Sequence, residues 1–125
     1  STRPAEQFMA PYRRLKVTQE GPITIVEFLD KKIVDPAVIE ELGDELFGLI
    51  GPDKKIVLNF GNVDFLSSAT LNKLIQLNSK VRASRGAIKF SNMCQNLREV
   101  ITITRLDKLF DVRETQADAL AAFQS

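Results

Sequence analysis

Lys55-Ile56-Val57-Leu58-Asn59-Phe60, followed directly by Gly61-Asn62-Val63-Asp64-Phe65-Leu66-Ser67-Ser68-Ala69-Thr70-Leu71, reads as one α/β unit. Ile56, Val57, Leu58 and Phe60 form an apolar run without helical spacing, which predicts a central strand buried on both faces. A polar turn follows. After it Leu71, Leu74, Ile75 and Val81 recur at helical spacing, so one of the two serines caps an amphipathic helix. Two hydroxyls therefore stand at a strand-to-helix junction, and in open α/β sheets the loops leaving the carboxyl ends of the strands are where ligands and partners are met.

Upstream, Leu15 and Val17, then Ile23, Val26 and Phe28, flank Gly21-Pro22 and predict two short antiparallel strands joined by a tight turn, with Ile25 departing from strict alternation. Asp35-Pro36 supplies an N-cap and a proline at the first helical position, where a missing N–H costs nothing. Val38, Ile39, Leu42, Leu46, Leu49 and Ile50 continue at helical spacing, with Glu40, Glu41, Asp44 and Glu45 opposite them as a solvated face, and Gly51-Pro52 as the stop. Downstream, Arg85-Gly86 ends the serine-capped helix and Ala87, Ile88 and Phe90 make another strand. Leu97, Val100, Ile101 and Thr104 then give a helix, against the weak β-branched run Thr102-Ile103-Thr104. Leu106, Leu109, Phe110 and Val112 lead into a brief last strand. Thr115 with Asp118 resembles a capping box before the stripe of Leu120 and Phe123. Residues 1–14, with Pro4 and Pro11, read as a mobile arm with Phe8 and Tyr12 as its candidate anchors, and residues 15–125 as the domain. The alternation predicts a single α/β domain with a mixed central sheet of about four to five strands and about four helices, packed on one or both faces.

A chain of 125 residues with 44% hydrophobic and 26% charged residues is large enough for one core and reads as soluble and globular. Its net charge of +1 gives no bulk electrostatic reason to bind nucleic acid or an anionic membrane. Histidine is absent, which removes the commonest general base and metal ligand together. Cys94 is alone, so it has no internal disulfide or zinc partner and reads as a small core or loop residue. No apolar run approaches the roughly 20 residues of a membrane span and no secretory signal is visible, so a cytoplasmic protein without membrane insertion is expected. There is no phosphate-binding glycine loop, no dinucleotide fingerprint and no nucleophile elbow, and Asp64, Asp107 and Asp111 show no pairing suited to acid/base work. The expectation is a protein that is not an enzyme and holds no cofactor or metal.

Ser67-Ser68 remains. A serine at the first turn of a helix is most often only a cap, contributing about 0.5–2 kcal/mol. The other reading is covalent. Phosphorylation would add roughly −1.5 to −2 charge at a helix N-terminus, where the dipole and free N–H groups tolerate an anion. Such a charge would repel an acidic or apolar partner docked there and make an on/off binding switch.

At this junction the chain resembles the STAS family, whose best-known members are bacterial anti-sigma factor antagonists. The resemblance runs from about Leu15 to Phe123 and is carried by Ile56–Phe60, Val63–Leu71 and the tail residues Thr104-Arg105-Leu106, Leu109-Phe110, Val112, Ala119-Leu120 and Phe123. Family members show Asp-Ser-Ser/Thr-Gly here, with the second hydroxyl residue phosphorylated by an anti-sigma factor that is itself a serine kinase. Carried over, that acceptor is Ser68, with Ser67 as second choice. Leu66 stands at the aspartate position and Ala69 at the glycine position, and Asp64 is a candidate replacement two residues earlier. The resemblance implies a STAS-like fold and an antagonist that binds the kinase, is released by phosphorylation and is reset by a phosphatase. Asp64, Leu66, Ser67, Ala69, Asn72, Lys73 and Gln76 would form the interface. Leu66 and Ala69 also motivate an alternative, an interaction or scaffold module without a phospho-switch in a signalling assembly or a transport system. A nucleotide or small-ligand sensor is a third reading, without a phosphate loop to support it. A homodimer through an edge strand stays open, although nothing in the composition asks for one.

Overall fold

The computed structural model describes residues 12–124. In chain order the elements are β1 (Leu15–Glu20), β2 (Ile23–Phe28), β3 (Lys32–Ile33), α1 (Pro36–Phe47), β4 (Lys55–Asn59), β5 (Phe65–Leu66), α2 (Ser68–Ala83), β6 (Ala87–Ser91) and α3 (Gln95–Ile103). A 3₁₀ turn (Leu106–Lys108), β7 (Asp111–Arg113) and α4 (Gln116–Gln124) complete the fold. The main sheet has five strands in the order β1-β2-β4-β6-β7, and β3 and β5 pair as a separate two-stranded ribbon. β1 is antiparallel to β2, and the β2–β4, β4–β6 and β6–β7 pairs are parallel. The expected mixed sheet and four helices are present.

The sheet carries two cores, one on each face. Val26, Phe28, Ile56, Leu58, Phe60, Ile88 and Phe90 join Ile39, Leu42 and Leu46 of α1, Leu74, Leu77 and Val81 of α2, and Leu97 and Ile101 of α3 in the larger one. Ile23, Ile25, Val57 and Ala119 form the smaller, with Leu120 and Phe123 of α4 packed on it. Ile25 therefore departs from alternation because β2 is covered on both sides. Phe28 and Phe60 stack at 4.7 Å, Phe60 and Phe90 at 5.8 Å, and Phe90 and Phe110 at 4.3 Å, a diagonal row of rings through the larger core.

The acidic flank of α1 is not simply a solvated face. Glu45 accepts the backbone N–H of Arg13 at 2.8 Å and of Arg14 at 3.0 Å, and Glu41 accepts Arg14 Nε at 2.9 Å. These bonds tie the chain just ahead of β1 to α1, and the Arg14 hydrogen bond holds the Glu41 carboxyl below its ordinary range. Tyr12 is half-buried against the larger core, while residues 1–11 of the expected arm, including Phe8, lie outside the described residues. Thr102 and Thr104 are accommodated at the end of α3 because their hydroxyls donate back to the carbonyls of Arg98 and Val100. No helix among the described residues is long and apolar enough to cross a membrane.

Candidate functional site

The strand-to-helix turn is built from both sides. β3 and β5 run parallel with Ile33 beside Leu66, which brings the Ile33 carbonyl under the start of α2. That carbonyl accepts the backbone N–H of Ser67 at 3.1 Å and the hydroxyl of Thr70 at 2.9 Å. Ser67 is the N-cap, its Oγ accepting Thr70 N–H at 3.3 Å. Thr70 spends its single hydroxyl proton on Ile33, so in the 3.1 Å contact between Ser67 Oγ and Thr70 Oγ1 the serine is the donor. Ser67 is thus committed as donor and acceptor, and Thr70 is fully buried.

Ser68 differs in every respect. It is the first residue of α2, exposed, and its hydroxyl has no hydrogen-bond partner among the described residues. It opens onto a groove of about 400 Å³ between α1 and α2 that is also lined by Val34, Glu40, Ala69, Asn72, Lys73 and Gln76. Lys73 crosses the groove to Glu40, with Nζ 3.3 Å from Oε2. Two apolar side chains flank the turn in open solvent, Val34 at 46% and Phe65 at 50% exposure. An exposed phenylalanine at the same turn as a groove lined partly by Val34, Pro36 and Ile39 suits a surface that another protein covers.

Of the residues singled out in the sequence, Ser67, Ser68, Ala69, Asn72, Lys73 and Gln76 converge on this groove, and Asp64 and Leu66 do not line it. Leu66 is 6% exposed and belongs to the core, so it supports the turn from below and offers no side chain to a partner. Asp64 is exposed one turn away, where its backbone N–H bonds Lys31 O at 2.7 Å and its carbonyl lies 3.9 Å from Cys94 Sγ. Ala69 sits at an ordinary helical φ, so the backbone here does not require glycine. Thr70 and Val34 escaped the sequence reading, and Glu40 was named there only as part of an acidic face. Thr70 could have been found from its place three residues after a capping serine, but nothing local to Val34 or Glu40 points to the groove.

The STAS domain family model matches residues 14–119, and the chain belongs to that family. Among curated proteins it is 28% identical over 94 residues, 74% of this chain and 81% of the other, to BtrV of Bordetella bronchiseptica, named as a candidate anti-sigma factor antagonist. Among solved structures it resembles an anti-sigma factor antagonist (STAS) domain protein from Planctomyces limnophilus, with TM-score 0.78 and 19% identity over 89% of this chain and 98% of that one. The Bacillus cell-fate determinant SpoIIAA in its phosphorylated form superposes with TM-score 0.63 and 14% identity, covering 87% of this chain and 98% of that one. At these identities the two structures show the shared fold.

Proposed function

We propose that this chain is an anti-sigma factor antagonist. Its unmodified surface around the start of α2 binds an anti-sigma factor that is also a serine kinase, which frees a sigma factor for transcription. Transfer of phosphate to Ser68 ends that binding, and a phosphatase restores it. In the transfer, Ser68 Oγ attacks the γ-phosphorus of ATP, the bond to the departing ADP breaks, and the hydroxyl proton passes to a base of the kinase.

The division of labour between the two serines carries this reading. Ser67 holds the helix, and Ser68 is left exposed and uncommitted on a groove lined in part by Val34, with Phe65 exposed just ahead of the serine pair. A hydroxyl with no structural duty can be esterified without undoing the fold, and the N-terminus of α2 favours the resulting anion. The name of the Bordetella relative and the phosphorylated form of the SpoIIAA neighbour support the same assignment. Because Leu66 is buried, partner recognition falls to Phe65, Val34 and the groove residues.

The test is phosphopeptide mapping after incubation with ATP and an extract of the cells that make the protein. Phosphate on Ser68, absent from a Ser68→Ala control, is the expected result, and Ser68→Asp is expected to lose capture of the kinase. An unlabelled Ser68 in an extract that labels a known acceptor would instead make this a constitutive interaction module.

A further inference from the structure

Phosphorylation would place nearly two negative charges on the lip of a groove whose charged lining residues are Glu40 and Lys73, Val34 and Pro36 bringing none. The two partners of that ion pair are held very differently. The Lys73 side chain is 22% exposed and the Glu40 side chain 71%. The lysine stem lies across Gly43 of α1 so closely that a Cβ there would be 3.0 Å from Cδ and 3.2 Å from Cε. Its ammonium also stands 5.8 Å from the centre of the Phe47 ring. Lys73 is therefore confined to the groove by packing, while Glu40 reaches it from water.

Resting on the reading of Ser68 as the acceptor, we propose that Lys73 is the counter-charge of the phosphate on Ser68. On modification its ammonium exchanges Glu40 for the phosphate. A solvent-facing carboxylate holds an ammonium weakly, whereas a phosphate dianion at the same groove is the stronger charge-assisted acceptor. The exchange makes the switch two-sided. Lys73 and the α2 N-terminus steady the phosphate, and Glu40 is left as an unpaired carboxylate on α1. A partner docked across the groove then meets new negative charge from both helices, although only one residue has been modified.

The measurement is a ³¹P NMR titration of the full chain with phosphoserine installed at position 68 during translation, so that no kinase is needed. An adjacent ammonium favours the dianion and lowers the second ionisation of the phosphate from its usual value near 6. Lys73→Gln is expected to raise the midpoint by about half a pH unit. Lys73→Met, which keeps the stem over Gly43, is expected to do the same and covers the case in which the first variant does not fold. Lys80→Gln, outside the groove, is the control and should not move it. Equal midpoints in the parent and the Lys73 variants would overturn the inference and leave the assignment of Ser68 standing. Failure to label Ser68 in extract would sink that assignment and leave the titration result standing.

Discussion

Ser67 and Ser68 are neighbours of one residue type, yet removing their hydroxyls should have unequal effects. Ser67→Ala deletes an N-cap and leaves Thr70 N–H unpartnered, and should cost about 1 kcal/mol. Ser68→Ala touches no hydrogen bond among the described residues and should stay within about 0.5 kcal/mol of the parent. Urea midpoints at unchanged slope would show the difference, and equal losses would contradict the assignment of the cap. The sequence made the pair conspicuous but did not say which serine works for the fold. That is decided by the Ile33 carbonyl, brought in from far upstream by a ribbon of two-residue strands that no periodicity can reveal. Leu66 was misleading for a related reason: its position in a motif suggests a surface role, and its side chain turns into the core. Lys73 was legible as a surface residue of the helix and Glu40 as part of an acidic face, but their pairing depends on how two helices meet.

The end of α2 shows how two adjacent residues share a task that sequence reading assigns to one. Glycine is expected at the left-handed position after a helix, but here Arg85 takes φ 67° and Gly86 N–H closes the turn onto Val81 O at 2.9 Å. Gly86 is needed for closeness instead. A Cβ there would come within 2.5 Å of Lys54 O and 2.9 Å of Val81 Cγ1. Gly86→Ala should therefore cost about 1–3 kcal/mol through forced displacement of backbone, read as a lowered thermal midpoint. An unchanged midpoint would mean that the Lys54 segment yields easily. The major elements were legible because each carries its own signal: the unbroken apolar run of β4, the Asp35-Pro36 start of α1 and the Thr115 cap, whose hydroxyl does accept Asp118 N–H at 3.1 Å. The 3₁₀ turn and the β3–β5 ribbon carry no such signal, being too short to show a period.

Across the whole molecule, the second face of the sheet is held by few groups, and this makes its electrostatics measurable. Lys89 lies in the sheet beneath α4, 4.7 Å from the Phe123 ring centre and 2.6 Å from Asp111, which Arg113 also grips at 2.7 Å. Burial pushes the Asp111 carboxyl up, but hydrogen bonds from Arg113 and Lys89 outweigh it and hold the group below its ordinary range. A carboxyl depressed in the folded state stabilises above its unfolded pKa, and that contribution is lost as pH falls through the folded value. Asp111→Asn should therefore be less stable than the parent at neutral pH, by about 0.5–1 kcal/mol after solvent screening. The gap should close as pH drops below about 4. Parallel denaturation curves from pH 7 to 3 would test it, and a gap independent of pH would refute it. At the opposite end, the Ile33 carbonyl bears on recognition. Because one oxygen takes both Ser67 N–H and the Thr70 hydroxyl, the segment around Ser68 cannot be drawn out as an extended strand without local unfolding. If Ser68 is the acceptor, an enzyme that modifies it would have to carry a concave mould of the intact domain in place of a peptide cleft, and its choice of substrate would be a judgement of shape more than of flanking sequence.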